Sequence, residues 1–186
     1  MKQAQQLAGN EQARRTAKEI YDLARQITAE IQAEHRRPCV RFTLEPGEPG
    51  IFESKAGGTP YLPRDMAWPL DSKGQGLTLL AQVDCAGLGG LPDFPQSGLL
   101  QFFSGLDDLF GAEFDHIAEQ KDFRVYYHET VDLSVTAEEV EARRPPLPED
   151  AAYLTPLCGG PCRICLAAPV EQGMNDLDPR FDALFL

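Results

Sequence analysis

The chain has 186 residues with a formal net charge of −12, and 42% of its residues are apolar, enough for a real core in one domain or two small ones. The charge is uneven: residues 1–44 carry eight Lys/Arg against five Asp/Glu, and residues 45–186 carry nine against twenty-four. A body that acidic repels phosphate backbones and argues against nucleic acid as a partner, and no apolar run approaches a membrane span.

Taken in chain order, the N-terminal MKQAQQLAGNEQARR lacks the apolar core of a signal peptide, so the expected compartment is the cytoplasm. The five cysteines are an odd number in a chain that needs no stapling, and are expected to be reduced. Residues 10–35 place Ala13, Ala17, Ile20, Ala24, Ile27 and Ile31 at helical steps, predicting an amphipathic surface helix that Pro38 ends. In CVRFTLEP, Val40, Phe42 and Leu44 alternate on one face and predict a strand. Residues 46–76 are dense in turn formers, which argues against regular structure. Yet Ile51, Phe52, Tyr61, Leu62, Met66 and Trp68 mark the stretch as an ordered, packed loop.

LTLLAQVD at 77–84 reads as a strand buried on both faces for much of its length. LLQFFSG at 99–105, FRVYYHE at 123–129 and RICLAAPVE read as three more strands. A short helix is expected within TAEEVEARRPPLPED, and another from LDPRFDALFL, capped by Asp178 with Pro179 at its first position. The ending on Phe185-Leu186, without a polar tail, creates the expectation of a longer parent chain.

The ordered series SKAGGTPYLPRDMAWP, LTLLAQVD, LPDFPQSGLLQFF, DDLFGAEFD and FRVYYH resembles the bacterial YwqG-like family, strongly over roughly residues 50–130 and more weakly through MNDLDPRFDALF. Ala56 stands where that family usually has an aromatic, and the N-terminal helix aligns with nothing in it. The resemblance implies an irregular α+β fold with mainly antiparallel sheet, and a second half beyond this chain. It implies no reaction and no catalytic residues. The domain boundaries expected are a helical arm over 1–37 and a YwqG-like domain over 38–186.

Candidate chemistry is sparse. Cys158, Cys162 and Cys165 form C-x3-C-x2-C, a spacing that resembles the cluster loop of radical S-adenosylmethionine enzymes. A full barrel runs about 250 residues, and twenty-one follow Cys165. Carboxylate surroundings disfavour thiolates, and positions three apart on a strand point to opposite faces. Zinc would need a fourth ligand from Cys85, His116 or His128, at no recognised spacing. No cofactor is expected. Gly57-Gly58 lacks the Lys-Ser/Thr of a phosphate loop. No G-x-S-x-G occurs, and no histidine adjoins a nucleophile in sequence.

Trp68, Gln82, Asp84, Gln101, Asp107 and Asp108 remain as candidate ligand-binding residues. Trp68 is either a core pin for the proline-rich loop or an anchor for a partner. Gln82 and Asp84 share one face of an apolar strand and either line a pocket or bond the neighbouring loops, and Gln101 meets Gln82 if their strands pair. Asp107, Asp108, Glu113 and Asp115 are either hard-cation oxygens or turn formers. The expectation is an acidic α+β domain that binds a protein or peptide non-catalytically through its loop-rich face. The alternatives are an enzyme or small-molecule binder with a polar pocket near Gln82 and Asp84, and a metal protein using the three cysteines.

Overall fold

The computed structural model describes residues 2–113, 115, 116, 118–147, 160–175, 177, 178 and 180–185. In chain order these form α1 (Lys2–Glu34), β1 (Arg36–Cys39), β2 (Phe42–Pro46), β3 (Lys55–Ala56), β4 (Thr78–Asp84), a 3-10 turn (Cys85–Leu88), β5 (Leu99–Ser104), β6 (Arg124–His128), α2 (Ala137–Glu141), β7 (Cys162–Leu166), β8 (Val170–Gly173) and α3 (Phe181–Phe185). The fold is α+β with antiparallel sheet, as the family resemblance implies. The chain divides into two compact units, Met1–Cys39 with Val170–Leu186, and Val40–Pro169.

In the first unit, β1 pairs antiparallel with β8, from Arg36 opposite Gly173 to Cys39 opposite Val170. Its core is small: Ile31, Met174 and Phe181, with Ile27 against them. Only the C-terminal part of the expected helical stripe is covered, because Ile20 stays 64% exposed. α1 is long, but no helix among the described residues is apolar enough to cross a membrane.

The second unit is built on a six-stranded sheet of order β2-β7-β3-β4-β5-β6, antiparallel throughout. Side-chain alternation gives it two unlike faces. One face carries Leu79, Leu99 and Phe103. The proline-rich loop folds over it, seating Tyr61, Leu62, Trp68 and Leu77 beside Val135 and Val140. Thr136 caps α2 in a reciprocal capping box with Glu139. Arg143, just beyond α2, donates to the carbonyls of Leu62, Pro63 and Met66. The Arg144 guanidinium stacks 4.4 Å from the Trp68 ring centroid.

Among the described residues, the opposite face is covered at one end only. There Cys85, Leu88 and Leu91 pack with Val40, Val83, Leu100 and Leu166.

Three expectations are corrected. The strand expected over CVRFTLEP begins at Phe42, Cys39 ends β1 in the other unit, and Phe42 and Leu44 on β2 are exposed. RICLAAPVE likewise divides into β7 and β8, with Pro169 and its neighbours between them. The proline-rich stretch contains regular structure after all: buried Lys55-Ala56 bridges β7 and β4, a pairing made by partners distant in sequence.

Candidate functional site

The uncovered part of the sheet is a groove lined by Leu80, Phe102, Ser104, Leu109, Phe110 and Val125, among others, with a volume of about 290 Å³. Local sequence builds it in two ways. First, the β4–β5 register shifts between Leu79 and Ala81, so Leu79 stays in the core while the extra residue, Leu80, turns outward. Second, the turn after β5 folds back. Asp107 Oδ1 accepts from the amides of Leu109 and Gly111, and the Gly105 amide donates to the Phe110 carbonyl. Phe110 adopts a left-handed backbone, φ 55°, costly for a bulky residue. Gly111, at φ 81°, lies so close to the Asp122 carbonyl that no Cβ fits there.

The groove's electrostatics are simple. Among the described residues no carboxylate lines it. Arg124, the one cation among its described lining residues, directs the guanidinium at backbone carbonyls of Gln120, Lys121, Phe123 and Leu70. Ser104 lines the groove, and Thr78 is opposite it in register. Both hydroxyl oxygens are buried, and neither has a hydrogen-bond partner among the described residues.

Gln82 and Gln101 do meet, on the other face. They are opposed in register and 0% exposed. Gln82 Oε1 accepts from the Tyr61 amide at 2.9 Å and from Gln101 Nε2 at 2.8 Å. Its Nε2 donates to the carbonyls of Ile51 and Glu53. Gln101 also donates to the Tyr61 carbonyl and accepts from His128 Nε2 at 2.9 Å. These amides are fully engaged in holding the loop to the sheet. Asp84 caps the 3-10 turn through the Ala86 amide. Trp68 is buried, its indole N–H donating to the Leu77 carbonyl.

A model of the family described as a domain of unknown function (DUF1963) matches residues 54–176. The chain belongs to that family. No curated protein matches it. The match spans the described lining of the groove, from Leu80 to Val125, so the DUF1963 region includes both the glutamine network and this sheet face.

Within the DUF1963 region, burial lowers the pKa of His128 and brings Lys55 down to about 8, against a raising effect from Glu53. Lys55 Nζ donates to the Gly50 carbonyl at 2.8 Å. Cys85 is buried and its thiol pKa is raised, chiefly by desolvation and also by Asp84. Cys162 and Cys165 are three positions apart on β7, hence on opposite faces, and Cys158 lies outside the described residues. Among the described residues, no group of three His, Cys, Asp or Glu is placed to hold a metal. Asp108 lies in the turn, exposed.

Sequence reasoning missed Leu80, Phe102, Phe110 and Val125 as a group. The signal available was DDLFG: an acidic turn carrying Leu109 and Phe110, which had no evident core to enter.

Proposed function

We propose that this YwqG-like chain is a binding domain that takes up an apolar segment of another protein on the bare end of its sheet. The observation that supports this reading is the groove with Leu80, Phe102, Leu109, Phe110 and Val125 on one open surface, beside a sheet whose other face is packed. The loop-rich face fits the role less well, because its large residues Tyr61, Leu62 and Trp68 are buried and hold the fold. The occupant follows from charge. Residues 45–186 carry nine Lys/Arg against twenty-four Asp/Glu, so a segment with aromatic or aliphatic side chains between basic flanks is the complementary partner. Acidic surroundings would speed its arrival, and the apolar groove would retain it.

A displayed peptide library selected on the full chain tests the reading. The expected outcome is an enriched motif of large apolar residues with Lys or Arg nearby. Val125→Asp should weaken the selected peptides by at least about tenfold, the scale of a central interface residue, with the urea midpoint little changed. Selection that yields no shared motif, or binding indifferent to Val125→Asp, overturns it.

A further inference from the structure

We infer that α1 is a contact between two copies of this chain, its residues 13–24 crossing antiparallel to the same segment of a second copy. This contact is independent of the groove.

Its apolar seam is continuous. Ala13, Ala17, Ile20, Ala24, Ile27 and Ile31 recur at alternating steps of four and three, the spacing that keeps one face of a helix on a helical neighbour. Towards its C-terminal end the seam is already packing surface, where Ile31, with Ile27 beside it, meets Met174 and Phe181. Towards its N-terminal end the same seam runs on in the open. Ile20 is 64% exposed, and Tyr21 and Leu23, which flank the seam on either side, are 62% and 57% exposed. A helix draws most of its stability from packing one face, and clustered large apolar side chains on a surface mark an interaction site.

Charge selects the occupant. Residues 2–18 of α1 carry Lys2, Arg14, Arg15 and Lys18 against Glu11, a balance of +3. Residues 19–34 carry Glu19, Asp22, Glu30 and Glu34 against Arg25, a balance of −3. The helix is therefore its own complement when turned end for end, an arrangement that also opposes the two helix dipoles. A parallel pair would set like charges side by side.

Shape selects the same direction. The charge boundary falls between Lys18 and Glu19. An antiparallel crossing there puts Ile20 against Ala17 of the second copy and Ala13 against Ala24 of the second copy, so the bulky side chain faces a small one. A parallel pair in register would set Ile20 on Ile20 and Ala17 on Ala17, leaving the alanine layers unfilled. The crossing segment spans about 18 Å, so the contact is short and the dimer is weak and concentration-dependent.

Sedimentation velocity on the full chain, over a series reaching about 100 µM, tests the pairing. The native chain should shift from monomer to dimer as the concentration rises. Ile20→Glu puts an unpaired carboxylate in the seam and should raise the dimer dissociation constant at least about tenfold. Its urea midpoint, read where the native chain is monomeric, should not change, because Ile20 is exposed within one copy. Val125→Asp should leave the dimer intact, and Ile20→Glu should leave peptide binding in the groove intact, so this contact and the binding reading fail separately. Direction is read by native mass spectrometry. A chain carrying Arg14→Glu, Arg15→Glu, Lys18→Glu, Glu19→Lys, Asp22→Lys and Glu30→Lys is mixed with the native chain. Antiparallel pairing predicts that each chain pairs with its own kind, with mixed dimers below the proportion that random pairing gives. A native chain still monomeric at the highest concentration, a dimer indifferent to Ile20→Glu, or a dimer lost with Val125→Asp would overturn the contact. A lowered urea midpoint in monomeric Ile20→Glu would assign the seam to packing within one copy and overturn it as well. A majority of mixed dimers would overturn the antiparallel direction.

Discussion

Gln82 makes four hydrogen bonds with one amide: two accepted, from Tyr61 and Gln101, and two donated, to Ile51 and Glu53. Truncation would leave several buried backbone groups without partners, each costing about 1–3 kcal/mol when unmet. Gln82→Ala should therefore destabilise the second unit by roughly 3 kcal/mol, read as a lower urea midpoint at unchanged slope. A midpoint within error of the native chain would show that the loop holds without this clamp. The same network fixes His128. Gln101 Nε2 is occupied by Tyr61 and Gln82, so its Oε1 must accept from His128 Nε2, which carries the proton. The ring sits between Tyr61 and Tyr126, with centroids 5.2 and 6.2 Å away, and burial lowers its pKa below the ordinary 6.5. The unfolded chain then takes up the proton first, so stability present above pH 6.5 is lost as the pH falls through the folded pKa. Urea unfolding followed from pH 7.5 to 5.5 should show this loss. In His128→Gln the slope over that window should flatten, and an unaltered slope would assign the effect to other groups.

At the level of elements, what could be read in advance was what local pattern determines. β4, β5 and β6 are apolar runs bounded by turn residues, and each forms. The spacing of Gln82 placed it on one face, and the proximity of β4 and β5 in sequence made their pairing the natural guess. β3 was illegible because its two residues are strand only by virtue of β4 and β7. The groove was illegible for a related reason. Apolar residues such as Leu80 and Phe102 look alike in sequence whether another element covers them or not, and the bulge that turns Leu80 outward shifts the alternation by one residue without any glycine or proline to announce it. Asp107 shows the converse. Its sequence context suits a cation ligand or a turn former, and its carboxylate engages the Leu109 and Gly111 amides that shape the groove's rim.

At the scale of the whole molecule, the two units rest on cores of very different size. The first relies on Ile31, Met174 and Phe181, with Ile27 beside them, while the second has two clusters, one on each face of its sheet. Local opening free energy scales with the apolar surface an opening exposes, so the first unit should open more readily. Gly173 offers a selective probe. It lies at the end of β8 against the Gln32 carbonyl of α1, where an added Cβ would collide with backbone. Gly173→Val should push these apart and raise amide exchange across β1 and β8 by at least about tenfold, the effect of roughly 1.4 kcal/mol. The amides of β4 and β5, whose protection depends on the other cores, should exchange as before. If their protection fell in parallel, the two units would be one cooperative structure, and substitutions such as Val125→Asp would have to be judged against the stability of the entire chain.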